Sequence, residues 1–182
     1  ESYSVPPGET SKAIDTAVQI YDWLVALRTE RVHAIVALGG GMVGDLAGFV
    51  AATFLRGLPL VHVPTSLIAI ADSSIGGKVA VNHPSAKNFI GSFYQPDLVL
   101  ADVSTLKTLP RRELVSGWGE VIKHGLTLDR GFAEFMEGNV AKLTALDPQT
   151  TVKALRHSAW LKAGVVSEDE REREGRMVLN YG

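Results

Sequence analysis

Cysteine is absent from the 182-residue chain. A protein without cysteine can form neither disulfides nor thiolate metal sites, and its absence suits a reducing compartment such as the cytoplasm. Long apolar runs are missing too, since no stretch reaches the roughly 20 residues that a membrane-spanning helix needs. The first residues lack the basic and apolar regions of a signal peptide. We therefore expect a cytoplasmic protein without a membrane span.

The chain also lacks an excess of charge of either sign. Its 18 Lys and Arg against 20 Asp and Glu give a formal net charge of -2. That balance gives no electrostatic reason to expect a nucleic acid or an anionic membrane as partner. With 46% hydrophobic and 21% charged residues, the composition is typical of a globular protein.

Apolar patterning predicts an α/β arrangement in the first part of the chain. Short apolar runs predict buried strands at residues 34–38, 60–63 and 98–101. Helical spacing predicts helices at about 11–29 and 45–55. The polar stretch 73–94 reads as a hairpin or ordered loop. Alternation of strand and helix predicts a Rossmann-like parallel sheet.

From about Ser104 onward only helical periodicity remains. We therefore predict an α/β domain at residues 1–103 and a mainly helical domain at 104–182. Helices are predicted at 111–126, 129–137 and 148–166.

A glycine-rich loop, residues 39–45, lies between a predicted strand and a predicted helix. Gly39, Gly41 and Gly44 fit the pattern G-x-G-x-x-G. Such a loop lets the backbone approach a pyrophosphate at a helix N-terminus. However, no Asp or Glu occurs between Asp45 and Asp72, where an ordinary dinucleotide site places its ribose-binding acid. The loop alone is equally compatible with a tight strand-to-helix turn.

Two polar groups have spacings that permit a ligand site. The first group places charged and polar side chains among small residues: Arg56, Asp72, Lys78, Lys87 and Asn88. Such a group suits an anionic, polyhydroxylated ligand, but it is equally typical of a solvated loop.

The second group lies on one predicted helix. Glu120, Lys123 and His124 share a helix face, either as a surface ion pair or as a metal ligand beside a substrate contact. The histidines at 33, 62, 83 and 157 stand singly and are interpreted as structural or surface residues.

Several of these segments together resemble the 3-dehydroquinate synthases, in order as well as in spacing. The matching segments are residues 37–49, 63–67, 72–78, 87–88, 93–96 and 119–123. The resemblance runs from Gly8 to Asn180. Three positions depart from the family pattern: Ser66 replaces a usual threonine, Ala80 a common glycine and Gly119 a common alanine.

The resemblance implies an enzyme of the shikimate pathway that needs NAD and a divalent metal, zinc or cobalt. Its substrate would be the seven-carbon keto-acid phosphate DAHP, converted into 3-dehydroquinate and phosphate. The implied steps are NAD-mediated oxidation, phosphate elimination, reduction and an intramolecular aldol closure. The family is usually a homodimer, so we expect one here.

The resemblance also assigns residues. For NAD these are Glu9, Lys12, Gly40, Gly41, Asp45, Thr65, Ser66, Asp72, Ser73, Lys78, Lys87 and Thr108. For the substrate they are Arg56, Asp72, Lys78, Lys87, Asn88, Lys123, Lys162, Arg176 and Asn180. Within this set the catalytic residues would be Asp72, Lys78, Asn88 and Lys123. Glu120 would be a metal ligand.

In the family, strands precede the segment that starts at Glu1, and two histidine ligands follow the segment that ends at Gly182. We therefore expect a fragment that is inactive by itself. Three alternatives remain: another sugar-phosphate cyclase of the valiolone or scyllo-inosose synthase type, a metal-dependent polyol dehydrogenase, or a non-catalytic NAD-binding fragment. Lys162, Arg176 and Asn180 favour the dehydroquinate pattern over the first alternative, and the loop from Asp72 to Lys78 argues against the second.

Overall fold

The computed structural model describes residues 1–172 and Leu179. They form two units: Glu1–Pro64 with Gly77–Leu100, and Thr65–Gly76 with the described residues from Ala101 onward. We call these the sheet unit and the helical unit. A parallel sheet in one and helices in the other confirm the predicted fold class. The predicted domain boundary after residue 103 stays a prediction.

The sheet unit contains α1 (Ile14–Ala26), β1 (Ile35–Gly39), α2 (Gly41–Thr53), β2 (Leu60–Pro64), β3 (Lys78–His83), β4 (Ala86–Phe93) and β5 (Leu98–Val99). Strands β1, β2 and β5 form a parallel sheet in that order. Strands β3 and β4 form a hairpin, which is one of the two arrangements expected for residues 73–94. Adjacent parallel strands must be joined by a crossover connection. Helix α2 lies in the connection between β1 and β2.

Apolar side chains from α1, α2 and β3 make the core of the sheet unit. Ala17, Val50 and Val81 are each 0% exposed within it. A glycine allows the close approach of α2 to β3, because a Cβ on Gly48 would lie 2.3 Å from Val79 Cγ1. The helix that begins at the glycine-rich loop is therefore fixed against the hairpin.

The departure at position 80 causes no backbone strain. Ala80 pairs with Gly91 across the hairpin and is not among the described non-glycine residues with positive φ. The close approach of the two strands depends on Gly91 of the opposite strand, where an added Cβ would lie 2.5 Å from the carbonyl oxygen of Val79.

The helical unit contains a π-helix (Ala69–Ser73), α3 (Arg111–Leu128), α4 (Arg130–Gly138), α5 (Val140–Thr144) and α6 (Pro148–Glu168). Asp129 and Asp147 cap α4 and α6 by accepting from the backbone N–H of Phe132 and Thr150. The buried core residues are Leu67, Ile70, Ala71, Leu106, Val121, Phe132, Met136, Leu143, Ala154 and Leu155. Among the helices described, none is both long and apolar enough to cross a membrane.

His62 in β2 should make the stability of the sheet unit depend on pH. The side chain is buried, and burial lowers its pKa from the ordinary value of 6.5. Below about pH 6.5, His62 becomes protonated in the unfolded chain, whereas in the folded protein it stays neutral until the pH falls further. The contribution of neutral His62 to the free energy of unfolding is therefore complete above pH 6.5. It is lost as the pH falls from 6.5 towards the pKa of His62 in the folded protein.

We expect His62→Gln to remove this loss, which can reach about 1.4 kcal/mol per pH unit. The measurement is the free energy of unfolding in urea at pH 7.5 and pH 5.5 for the parent and the variant. His83→Gln, at an exposed position, is the matched control. An equal loss in the parent and in His62→Gln would contradict the prediction.

Candidate functional site

The glycine-rich loop forms the junction between β1 and α2. Strand β1 ends at Gly39, Gly40 caps the helix and Gly41 is its first residue. The N–H groups of Val43 and Gly44 both donate to the Gly40 carbonyl at 3.1 Å. The first two N–H groups of α2, those of Gly41 and Met42, have no intrahelical acceptor, as at any helix start. This end of α2 has the geometry to receive an anion.

Lys12 lies at the centre of a polar cluster in the same unit. Its ammonium pairs with the carboxylate of Asp45 and donates to Oδ1 of Asn88. Lys12 is only 4% exposed, so its charge is largely withdrawn from water and depends on these partners. The fold thus joins residues that are 33 and 76 positions apart.

Asn82 and Glu9 extend this cluster. The side-chain amide of Asn82 donates to Glu9 Oε1 at 2.8 Å, and its Oδ1 accepts from the backbone N–H of Asn88 at 2.9 Å. The backbone N–H of Asn82 donates to the Lys12 carbonyl at 2.8 Å. We call Glu9, Lys12, Asp45, Asn82 and Asn88 the Lys12 cluster. Sequence reasoning found four of its members and missed Asn82.

Three cations assigned to the substrate lie at exposed positions of the sheet unit. Arg56 follows α2 with a positive φ of 66°. Lys78 is the first residue of β3, and Lys87 lies in β4. Each of these cations thus lies in a helix or strand or directly beside one, with its side chain exposed to solvent.

Asp72 and Lys162 form an ion pair in the helical unit. The ammonium of Lys162 donates to both the carboxylate and the backbone carbonyl of Asp72. Lys162 is only 4% exposed, and it reaches from α6 to the π-helix. The sequence assigned both residues to a substrate site but gave no sign that they pair, since 90 positions separate them.

Glu120, Lys123 and His124 share one face of α3, as predicted. Lys123 pairs with Glu120 Oε1 and also donates to the carbonyl of Leu179 at 2.7 Å. His124 Nε2 lies 3.4 Å from the same Glu120 oxygen, and its Nδ1 lies 2.7 Å from Ser158 Oγ. Helix α6 therefore supports the face of α3 that carries the carboxylate.

His124 is a buried imidazole with one nitrogen, Nε2, that makes no hydrogen bond in the described structure. The residue is 0% exposed. Burial lowers the pKa of His124, while the nearby Glu120 carboxylate acts in the opposite direction. Burial therefore favours the neutral form, and Nε2 lies on the Glu120 side of the ring.

A divalent metal site of this kind needs about three protein ligands. Within residues 1–172 and Leu179, no three His, Cys, Asp or Glu side chains are grouped to hold a metal ion. Glu120 supplies one carboxylate, with the His124 nitrogen beside it. The described residues thus do not make a complete metal site.

Among the remaining assigned hydroxyl residues, Ser66 and Thr108 make local hydrogen bonds. Thr65 and Ser66 follow β2, and Ser66 Oγ accepts from the Ala69 N–H at 3.4 Å. Ser73 ends the π-helix, and the Thr108 hydroxyl donates to the Thr105 carbonyl at 3.1 Å. Arg176 and Asn180 lie outside the described residues.

Comparison with known proteins gives relatives over nearly the whole chain. The family model described as "3-dehydroquinate synthase N-terminal" matches residues 2–116, and the model described as "3-dehydroquinate synthase C-terminal" matches 117–182. The 3-dehydroquinate synthase of Citrifermentans bemidjiense is 52% identical over 179 residues, covering 98% of this chain and 49% of that protein. The enzyme of Symbiobacterium thermophilum is also 52% identical, covering 98% and 50%. The chain spans about half the length of these curated relatives.

Solved structures of related cyclases have the same fold. The 2-epi-5-epi-valiolone synthase of Streptomyces hygroscopicus, with NAD+ and Zn2+ bound, matches with a TM-score of 0.90 at 29% identity, covering 97% of this chain and 50% of that one. A 2-deoxy-scyllo-inosose synthase with carbaglucose-6-phosphate, NAD+ and Co2+ also gives 0.90, at 34% identity, covering 96% and 48%. The two curated relatives reported above are both named 3-dehydroquinate synthase. The chain belongs to the 3-dehydroquinate synthase family.

Proposed function

We propose that this chain forms the nucleotide-binding part and one portion of the substrate and metal site of a 3-dehydroquinate synthase. This is a phosphate-eliminating carbon–oxygen lyase of the shikimate pathway that converts DAHP into 3-dehydroquinate and phosphate. The observation that carries the proposal is the match of both family models, which together extend from residue 2 to residue 182.

Several groups of the sheet unit support the assignment of NAD binding to it. The start of α2 offers free N–H groups to a pyrophosphate, with Gly40 and Gly41 leaving room for its approach. Lys12 adds a buried cation, while Glu9 and Asp45 offer carboxylates to hydroxyl or amide groups. When bound, NAD supplies a hydride acceptor that is regenerated within the cycle. We assign further contacts to Thr65, Ser66, Asp72, Ser73, Lys78, Lys87 and Thr108.

The cations suit a substrate that carries both phosphate and carboxylate. Arg56, Lys78 and Lys87 are exposed and can form charge-assisted hydrogen bonds with such groups. In the helical unit, Lys123 and the pair Asp72–Lys162 can orient hydroxyl and carboxylate groups. With Asn88, the residues Asp72, Lys78 and Lys123 are proposed as catalytic. Arg176 and Asn180 stay predictions, as do a cytoplasmic location and a homodimer.

Glu120 is proposed as one ligand of a divalent zinc or cobalt ion. Because the described residues supply no group of three ligands, we propose that the 182-residue chain does not turn over DAHP by itself.

A chimera tests the proposed reaction. This chain would replace the matching 179 residues of the Citrifermentans bemidjiense enzyme, and phosphate release from DAHP would be followed with NAD and zinc or cobalt. We expect sustained release by the chimera and none by the 182-residue chain. A folded chimera that binds no NAD and releases no phosphate would overturn the proposal. Release by the chain alone would show that it builds a metal site from other residues, with His124 the first to test.

A cyclase acting on another sugar phosphate is the second candidate, because the solved structures at a TM-score of 0.90 are of that kind. The chimera should therefore also be offered glucose 6-phosphate. Phosphate release from DAHP alone supports the dehydroquinate reaction, whereas preference for glucose 6-phosphate would favour the alternative.

A further inference from the structure

Asn82 makes three hydrogen bonds in different directions. Its backbone N–H donates to the Lys12 carbonyl, its side-chain amide donates to Glu9 Oε1, and its Oδ1 accepts from the Asn88 N–H. All three distances lie between 2.8 and 2.9 Å. Such a position requires a side chain that both donates and accepts, which the amide of asparagine does.

The hairpin is irregular where Asn82 lies. The pairing register of β3 and β4 shifts between Val81 and His83. Between these pairs β3 has one residue, Asn82, whereas β4 has three, so the extra residues of the irregularity lie in β4 and include Asn88. Opposite them, the side-chain amide of Asn82 bonds to Glu9 on one side and to the Asn88 N–H in β4 on the other.

Asn88 also needs a local constraint. Its φ of 59° lies in the left-handed region, which asparagine tolerates better than most residues. The Asn82 acceptor fixes the N–H of this residue, and the Asn88 side chain in turn accepts from Lys12. The amide of Asn82 therefore links the backbone of a proposed substrate residue to the carboxylate of a proposed nucleotide residue.

We infer that Asn82 is a positioning residue that orients Glu9 for NAD and Asn88 for the substrate. The inference rests on the proposed function. It assigns no contact between Asn82 and either ligand. Two different hydrogen bonds carry the two effects, so a substitution that removes one and keeps the other should separate them.

The test compares Asn82→Ala with Asn82→Asp. Alanine removes both side-chain bonds, so we expect the Kd for NAD and the KM for DAHP of the chimera each to rise about 10-fold, the scale of one lost hydrogen bond. We expect kcat to fall as well, because Asn88 is one of the residues proposed as catalytic. Aspartate keeps the acceptor for the Asn88 N–H but places a carboxylate against Glu9. It should therefore restore the KM for DAHP and leave NAD binding weak.

Amide hydrogen exchange at Asn88, measured on the ligand-free 182-residue chain, separates this inference from the proposed function. Exchange should be faster in Asn82→Ala and near the parent rate in Asn82→Asp. The control is Asn139→Ala, which removes a side-chain bond to the Phe135 carbonyl in the helical unit and should change none of these values. Parent-like exchange at Asn88 in a folded Asn82→Ala chain would overturn the positioning role even if the chimera is active. An inactive chimera with faster exchange would count against the proposed function instead.

Discussion

Two glycines that lie two positions apart on α3 should respond in opposite ways to alanine. We expect Gly117→Ala to destabilise the helical unit by about 1–3 kcal/mol, the usual cost of overpacking a core. An added Cβ would lie 2.7 Å from Leu67 Cβ and 2.9 Å from the backbone N of Ile68. Leu67 is 0% exposed, so neither neighbour can move away easily.

Gly119→Ala should instead stabilise the protein by about 0.5–1 kcal/mol, because alanine favours the helix more than glycine does. Nothing lies within 4 Å of a Cβ added at Gly119. This variant is thus the matched control for the chemical change itself. It also introduces the alanine that is common in the family at this position.

The measurement for both variants is the free energy of unfolding in urea. If Gly117→Ala were as stable as Gly119→Ala, the close packing of α3 on Leu67 would be wrong. That packing matters for the site because Leu67 precedes the π-helix with Asp72, while α3 carries Glu120. Gly117 thus permits the approach of two segments that both bear proposed site residues.

The regular elements were predictable because their apolar periodicity is strong. The strand predicted at 60–63 and the helix predicted at 111–126 correspond to β2 and α3, with ends that differ by at most two residues. The helix predicted at 45–55 begins four residues earlier, at Gly41. The helix starts within the glycine-rich loop. The low helix propensity of glycine is the reason that residues 41–44 were not included in the predicted helix. The helix ends earlier because Leu55 and Arg56 take positive φ values of 51° and 66°.

The members of the site were predictable mainly by resemblance, and their mutual contacts were not. Spacing alone indicated that Glu120, Lys123 and His124 share a face, since i, i+3 and i+4 positions are neighbours on any helix. Nothing in a single sequence pairs Lys162 with Asp72 across 90 positions. Ser158 and Asn82 were missed for the same reason, because each acts through a partner that only the fold brings near.

Lys12→Met should weaken NAD binding by about 100-fold while leaving the chain folded. Lys12 is 4% exposed and its ammonium contacts both Asp45 and Asn88. Methionine keeps most of the length and an apolar stem but removes the charge and its donors. Truncating one partner of a buried, hydrogen-bonded charge pair typically costs about 2–5 kcal/mol in binding, and about 2.7 kcal/mol corresponds to 100-fold.

The loss has two sources, which a second measurement separates. One is the direct contact that we propose between the ammonium and the nucleotide. The other is the ordering of Asp45 and Asn88, and weaker ordering should also lower stability by about 1–3 kcal/mol. Lys12→Arg keeps the charge but cannot place a planar guanidinium in the space of an ammonium without moving its neighbours. It should therefore restore little of the NAD affinity.

Calorimetric titration of the 182-residue chain with NAD gives the affinity, and urea unfolding gives the stability. Lys142→Met is the matched control, because it removes the same charge from an exposed position in α5. We expect its NAD affinity to equal that of the parent, since a change in net charge alone acts weakly on a distant site at physiological salt. A Lys12→Met chain that is folded and binds NAD within about threefold of the parent would contradict the prediction. The cluster would then stabilise the junction of α1, α2 and the hairpin without contributing to the cofactor site.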